Sequence, residues 1–342
     1  MPAPIHGAKP TPLRGKLLIL AAAVVIAAVA VARSVSSARG GADDLRAPDR
    51  DAVDALAGVT SRPDTASDAA KLRAFAVHDS LFGHSGQLRF KTLTRVSAIA
   101  LPGFITTYGE DAIRTPAAHH VAANGSVPFA LVVLRGFGEK KGDVLNGYRL
   151  GRWPSERWMM GRKYWNPDGF IEVTPANVEL PLSAHFTLGE FLTHDQRDVW
   201  PKYVVLQEQL IDKLELVLAD LASHGVPTDH VRVLSGFRAP YYNDRIVGEG
   251  AARASRHQYG DAADVIVDAN RDGRMDDLNR DGTLDLRDTQ LILKSVERVE
   301  KQYPSLVGGL GLYHQMGPSG PFAHVDVRGT HARWSRSNTQ PK

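Results

Sequence analysis

Ser255-Arg256-His257-Gln258-Tyr259-Gly260-Asp261-Ala262-Ala263-Asp264-Val265-Ile266-Val267 is the stretch that decides the fold. Val265, Ile266 and Val267 form a β-branched run of the kind that makes a buried strand, and Asp264 stands at its start. Gly260 and the two alanines after it let the backbone between His257 and Asp264 fold closely, so both side chains converge on one point. Downstream, Phe322-Ala323-His324-Val325-Asp326-Val327 alternates as a strand does, which puts His324 and Asp326 on one face. His257, His324 and Asp264 thus offer two imidazoles and a carboxylate, a three-ligand zinc set whose fourth position stays open to water. Zinc so held lowers the pKa of that water toward neutrality and polarises a scissile carbonyl. A single histidine beside a strand is more often a hydrogen-bonded structural residue. The combination carries the chemistry.

Before this core, residues 203–223 repeat Val204, Leu206, Leu210, Leu214, Val217, Leu218 and Leu221 at three- and four-residue spacing, which predicts a long helix ended by Gly225 and Pro227. A strand at 231–234 follows, and the helix is expected to back the metal-bearing sheet. Residues 88–182 break into short β-like runs, at 88–90, 129–134, 148–150 and 170–173, separated by turns such as Asn124-Gly125 and Asn166-Pro167-Asp168-Gly169. They are expected to form a small β-rich module with no catalytic spacing in it. Residues 34–87 are expected to be a linker.

The apolar run at 17–32, LLILAAAVVIAAVAVA, follows Lys9, Arg14 and Lys16. Segment 17–33 is expected to be a transmembrane anchor, a little short for a hydrocarbon core of about 30 Å and helped by snorkelling of Lys16 and Arg33. Residues 1–16 then stay in the cytoplasm and the bulk of the chain lies in the periplasm, on a single-pass inner-membrane protein. A cleaved signal peptide is the rival reading, because Ala30-Val31-Ala32 resembles a cleavage site. Either way the remainder is exported. The 342 residues contain no cysteine, which excludes disulfides and thiolate metal sites. A formal charge of +3 with no basic run argues against a nucleic-acid partner.

Several motifs occur in a recognisable order. They are Ser235-Gly236-Phe237-Arg238-Ala239-Pro240, Asn243, Ser255-x-His257-x-x-Gly260-x-Ala262-x-Asp264, Gly308-Gly309-x-Gly311-x-Tyr313, Phe322-x-His324-Val325-Asp326 and Arg333-Trp334, led by His185 to Phe191. The set resembles the M15 (LAS) zinc peptidase family, closest to its branch of periplasmic murein endopeptidases and D-Ala-D-Ala carboxypeptidases. The resemblance covers about residues 185–334. It implies an α+β domain at 183–336, a small antiparallel sheet with helices, and His257, Asp264 and His324 as zinc ligands. It also implies Arg238 as the cation that holds substrate or a developing oxyanion; a salt bridge anchoring the loop is the plainer alternative. The chain departs from the family at the general base. Pro321 and Phe322 stand where relatives carry Glu or His. Asp326 is the first candidate, with orientation of a ligand as its other role, and His314 is the second.

Residues 268–288 form an aspartate-rich insertion that resembles a dockerin-type or EF-hand calcium loop. In its second half Asp277, Asn279, Asp281, Thr283 (by its carbonyl), Asp285 and Asp288 fall at the ligand positions, and Gly282 at the sharp turn. An overlapping first half begins at Asp268, with Asn270, Asp272 and Asp276 in step. Structural calcium is expected here, with 289–303 as the exiting helix. Together these readings predict zinc-dependent hydrolysis of a peptide bond in peptidoglycan. The other class is a non-catalytic peptidoglycan-binding scaffold that keeps the metal fold.

Overall fold

The computed structural model describes residues 65–76, 83–121, 129–158, 161, 164–249, 251–315 and 317–336. The apolar run at 17–32 and the cytoplasmic tail expected before it lie outside these residues. Among the described residues no helix is long and apolar enough to cross a membrane.

The chain is a mixed α+β structure of small sheets and few helices. Its strands are β1 (Phe90–Leu93), β2 (Ala118–Val121), β3 (Phe129–Val133), β4 (Arg135–Gly136), β5 (Val144–Leu145), β6 (Tyr148–Arg149), β7 (Gly169–Val173), β8 (Lys202–Val204), β9 (Val231–Ser235), β10 (Ala262–Val267), β11 (Gly309–Tyr313), β12 (Phe322–Asp326) and β13 (Ala332–Arg336). The helices are α1 (Thr65–Ala76), α2 (Arg95–Ala100), α3 (Phe104–Tyr108), α4 (Asp111–Arg114), α5 (Pro154–Arg157), α6 (Glu208–Ser223), α7 (Pro240–Ile246) and α8 (Leu286–Gln302).

The five-stranded sheet runs β13-β11-β12-β10-β9. It is antiparallel except at one edge, where β13 pairs parallel with β11. The alternation expected of β12 is present. Ala323 and Val325 join the hydrophobic core, while Phe322, His324 and Asp326 share the other face. Helices α6 and α8 pack on the core side through Leu210, Leu214 and Leu218 and through Ile292, Val296 and Val299.

Two elements differ from expectation. The long helix starts at Glu208 and not at 203, because Lys202, Tyr203 and Val204 are taken by β8, which pairs with β7. Tyr and Val favour a pleated, half-buried surface, and burial in that sheet outweighs the helical spacing. The exiting helix starts at Leu286, capped by Asp285, whose side chain accepts from the Arg287 N–H while Asp288 caps in return.

Strand β3 explains how 88–182 meets the rest. Its sequence, FALVV, is buried on both faces. Phe129, Leu131 and Val133 enter a small cluster with Leu72 of α1, Phe104 and Leu93; Ala130 and Val132 enter the large core shared with the five-stranded sheet. Tyr148, Trp153 and Phe170 also belong to that large core. Hydrophobic packing therefore crosses the boundary expected at 182–183, and Leu72 draws part of the expected linker into a helix that packs.

Candidate metal centre

Register builds the site. His324 lies opposite Asp264 on one side and Gly311 on the other, Gly311 lies opposite Trp334, and Asp264 lies opposite Ser235. One row across the sheet therefore reads Trp334, Gly311, His324, Asp264, Ser235. A register shift between Asp264 and Val265 breaks the pairing with β9 at this point, a local bulge of the kind that re-aims a side chain. His257 joins from the turn before β10, where it is 2% exposed.

The ligand atoms of His257, Asp264 and His324 all lie within 4.8 Å of one another, and all three residues are buried. Among the described residues this is the group of His, Asp and Glu that converges so; no three acidic side chains of 268–288 do. Each member has its other polar atom held. His257 Nδ1 donates to the Gly236 carbonyl at 2.7 Å, which turns Nε2 toward Asp264 Oδ1 at 3.3 Å and His324 Nδ1 at 3.1 Å. His324 Nδ1 lies 2.9 Å from Asp264 Oδ1, and its Nε2 faces Asp326 Oδ2 at 3.1 Å. Asp264 Oδ2 is bound by the Arg238 guanidinium, whose Nε donates to Ser235 Oγ at 2.7 Å. A metal held by His257 Nε2, His324 Nδ1 and Asp264 Oδ1 would find each ligand already oriented from behind. The donor set suits zinc.

This geometry separates the candidate roles. Asp326 sits behind His324, on the ring nitrogen turned away from Asp264. Its Oδ1 accepts from the Gly309 N–H at 2.6 Å and the Arg328 N–H at 3.0 Å, and Oδ2 also takes the Arg328 side chain. A carboxylate so engaged orients His324 and has no oxygen to spare for proton transfer, so of its two possible roles the contacts support the orienting one. Arg238 is first of all the clamp on Asp264. His314 follows β11, exposed, three residues past the Gly311 that pairs with His324, which is about 10 Å along the strand. The sheet does not bring it to the trio.

The charges behave as the contacts require. Burial disfavours the charged form of His257, Arg238 adds to this, and its pKa falls to about 4. Burial pushes His324 the same way, but its hydrogen bonds to Asp264 and Asp326 outweigh it and leave the pKa raised. Burial would raise Asp264, yet the charges of His257 and Arg238 hold it well below the usual carboxylate range. In the metal-free chain at about pH 5.5, His257 is therefore expected to be neutral and His324 protonated. Nitrogen-15 spectra of the two imidazoles check this; two rings titrating together near the ordinary value of about 6.5 would contradict it.

Glycines make the room. A Cβ at Gly311 would run into the Trp334 indole, and one at Gly308 into the Asp326 backbone oxygen. The indole packs 5.3 Å from the His324 ring and donates to the Tyr313 hydroxyl at 2.8 Å, while Tyr313 stacks on Phe322 at 4.6 Å. These aromatic rings form one wall of the site. Gly260, at φ 64°, closes the turn between His257 and Asp264, and a Cβ there would strike the Val205 carbonyl. Gly260→Ala is expected to cost about 2–4 kcal/mol, from left-handed strain and overpacking together. Its melting temperature should fall and its zinc affinity weaken; an unchanged melt would show that the turn gives way freely.

No protein-family model and no curated protein matches the chain. Among solved structures it is similar to the L-Ala D-Glu endopeptidase ChiX of Serratia marcescens, at 17% identity and a TM-score of 0.24, over 36% of this chain and 82% of that one. The likeness is too weak to place the chain in a family. Function has to be read from the buried trio and its surroundings.

Sequence reasoning passed over two neighbours. Thr193 Oγ donates to the Phe237 carbonyl and accepts from the Ala239 N–H, which ties its loop to the turn that carries Arg238. Loss of solvation and then the Arg238 charge lower the His194 pKa. A polar residue on a loop, outside any spacing motif, gave no signal for this. The second is Lys213, wholly buried on α6, which donates to Glu300 at 2.7 Å and to the Asp326 carbonyl at 2.8 Å.

Proposed function

We propose that this chain is a zinc-dependent peptidase that hydrolyses a peptide bond in peptidoglycan, as a cross-link endopeptidase or a stem-peptide carboxypeptidase. One observation carries the reading: two imidazoles and a carboxylate converge in a buried cluster, each oriented from behind by a separate partner. Zinc bound there supplies a nucleophile at neutral pH and polarises a carbonyl. The chain's own residues do the rest. Gly236, Asp326 and Arg238 fix the three ligands, and the Tyr313, Phe322 and Trp334 wall limits water. The peptidoglycan substrate is inferred from the order of motifs between His185 and Trp334, and an exported location from the apolar run at 17–32 with its basic flank.

Purified sacculi test this. The zinc-loaded chain should release muropeptides, and His257→Ala should release none. The same assay addresses the non-catalytic scaffold, which one observation favours: neither Asp326 nor His314 stands where a base is needed. Binding to sacculi without release, by the zinc-loaded chain, would establish the scaffold and end the hydrolase reading.

A further inference from the structure

Strand β11 gives three positions to the face that carries the trio, and two of them have no side chain. Gly309 meets Asp326 through its N–H, Gly311 lies opposite His324, and Tyr313 lies opposite Phe322. Leu310 and Leu312, between them, join the core. Tyr313 is thus the one side chain that β11 lays over this face. A Cβ at Gly311 would run into the Trp334 indole nitrogen, so that nitrogen lies over the position beside His324. The same nitrogen donates to the Tyr313 hydroxyl at 2.8 Å. The phenol therefore reaches back along the strand and sets its oxygen one hydrogen bond from the row of the trio.

The hydrogen-bond count at that oxygen leaves a proton over. An indole N–H only donates, whereas a phenol both accepts and donates. Tyr313 Oη accepts from Trp334 and keeps its own hydrogen, for which no acceptor stands among the described residues. Burial raises the Tyr313 pKa, the Trp334 hydrogen bond opposes this and the Asp264 charge adds to it, so the hydroxyl stays protonated at neutral pH. The residue is half-buried. Neighbouring polar groups are engaged elsewhere: Arg238 grips Asp264 and Ser235, and Asp326 holds His324 from behind.

We propose that the Tyr313 hydroxyl donates a hydrogen bond to the scissile carbonyl oxygen as that oxygen gains negative charge. This role rests on the hydrolase reading. When water adds to the carbonyl carbon, a C–O bond forms and the C=O π pair moves onto oxygen, where the phenol meets it. Collapse returns that pair as the C–N bond breaks, and the proton lost by the water ends on the leaving nitrogen. Tyr313 neither gains nor loses a proton. A fixed donor aimed at developing charge is effective because it need not reorient during the reaction. Here the aim is built in. The ring stacks on Phe322, with centroids 4.6 Å apart and planes 7° from parallel, and the Trp334 N–H holds the oxygen. Tyr313 and Asp326 thus flank His324 from opposite ends of β12, one toward the substrate and one behind the ligand.

Tyr313→Phe keeps the ring and its stacking and deletes the hydroxyl. In the zinc-loaded full chain it should slow muropeptide release from sacculi about 10²- to 10³-fold, with zinc content unchanged. A second readout needs no turnover. Acetohydroxamate, a small chelator whose oxygens stand in for the reacting carbonyl and water, is titrated calorimetrically into the zinc-loaded chain. Tyr313→Phe should bind it about tenfold more weakly or worse. Trp334→Phe removes the N–H that aims the phenol but leaves the hydroxyl, so it should lose less on both counts. No release by the unaltered chain would end the hydrolase reading. A tenfold loss of acetohydroxamate affinity would still support the hydroxyl as donor to a ligand's oxygen, and equal affinity would overturn it. So would a loss in Trp334→Phe as large as in Tyr313→Phe, which would mean that the hydroxyl only holds the indole against His324.

Discussion

Asp264→Ala is expected to abolish zinc binding and to destabilise the chain even without metal. Its Oδ1 is the atom around which both imidazoles gather, at 2.9 Å from His324 and 3.3 Å from His257, so its loss leaves two ligands where three are needed. The fall in zinc affinity should exceed the 10- to 100-fold typical of removing a partner behind a ligand. The second cost comes from Arg238. It is 8% exposed and would be left with Ser235 Oγ in place of a carboxylate. Breaking a buried ion pair by removing one member costs about 3–5 kcal/mol, a large part of an ordinary stability of about 5–15 kcal/mol. Metal content after dialysis reads the first effect, and a thermal melt of the metal-free protein reads the second. The double variant Arg238→Met/Asp264→Leu removes the stranded charge. It should recover most of the melting temperature and none of the zinc. Stoichiometric zinc in Asp264→Ala would show that the carboxylate is not a ligand.

How far the fold and the site could be read from sequence depended on how local each signal was. The trio was legible because strand alternation fixes which side chains share a face, and because Gly260, Ala262 and Ala263 leave little freedom between His257 and Asp264. The same alternation put Asp326 beside His324 but could not say on which side of the ring. That depends on Gly308 and Gly309, which have no side chains and so let the carboxylate tuck behind His324 onto the Gly309 N–H. The start of α6 was misjudged because Val204 and Leu206 continue a helical spacing that only the distant partner β7 overrules. Continuity of the core was hidden for a similar reason. FALVV reads as a strand from its own residues, yet which cores its two faces meet depends on Leu72, Phe104 and Trp153, far away in the chain. Nothing local marked Lys213 either. A lysine inside a Leu/Val stripe reads as a solvated position until α8 supplies Glu300.

That buried lysine carries the other large effect. Glu300 is 6% exposed and accepts from Lys213 Nζ at 2.7 Å, from the Gly308 N–H at 3.0 Å and from Arg333 at 2.6 Å. It therefore ties α6 and α8 to the turn before β11 and to edge strand β13. Burial lowers the Lys213 pKa, and Glu300 works against that fall. Glu300→Leu leaves a wholly buried ammonium facing only the Asp326 carbonyl, and strips a partner from the Gly308 N–H. About 3–5 kcal/mol should be lost, a fall in melting temperature on the order of 10 °C for a chain of this size. Glu300→Gln keeps the acceptor and the shape, so it should lose less. Lys213→Met/Glu300→Leu removes both charges and should recover part of the difference. Zinc binding separates local from global damage. Because Lys213 holds the backbone oxygen of Asp326, the Glu300→Leu protein should bind zinc more weakly even at temperatures where it remains folded. Weakened stability with unchanged zinc affinity would mean that the clamp supports the helices without reaching the metal centre.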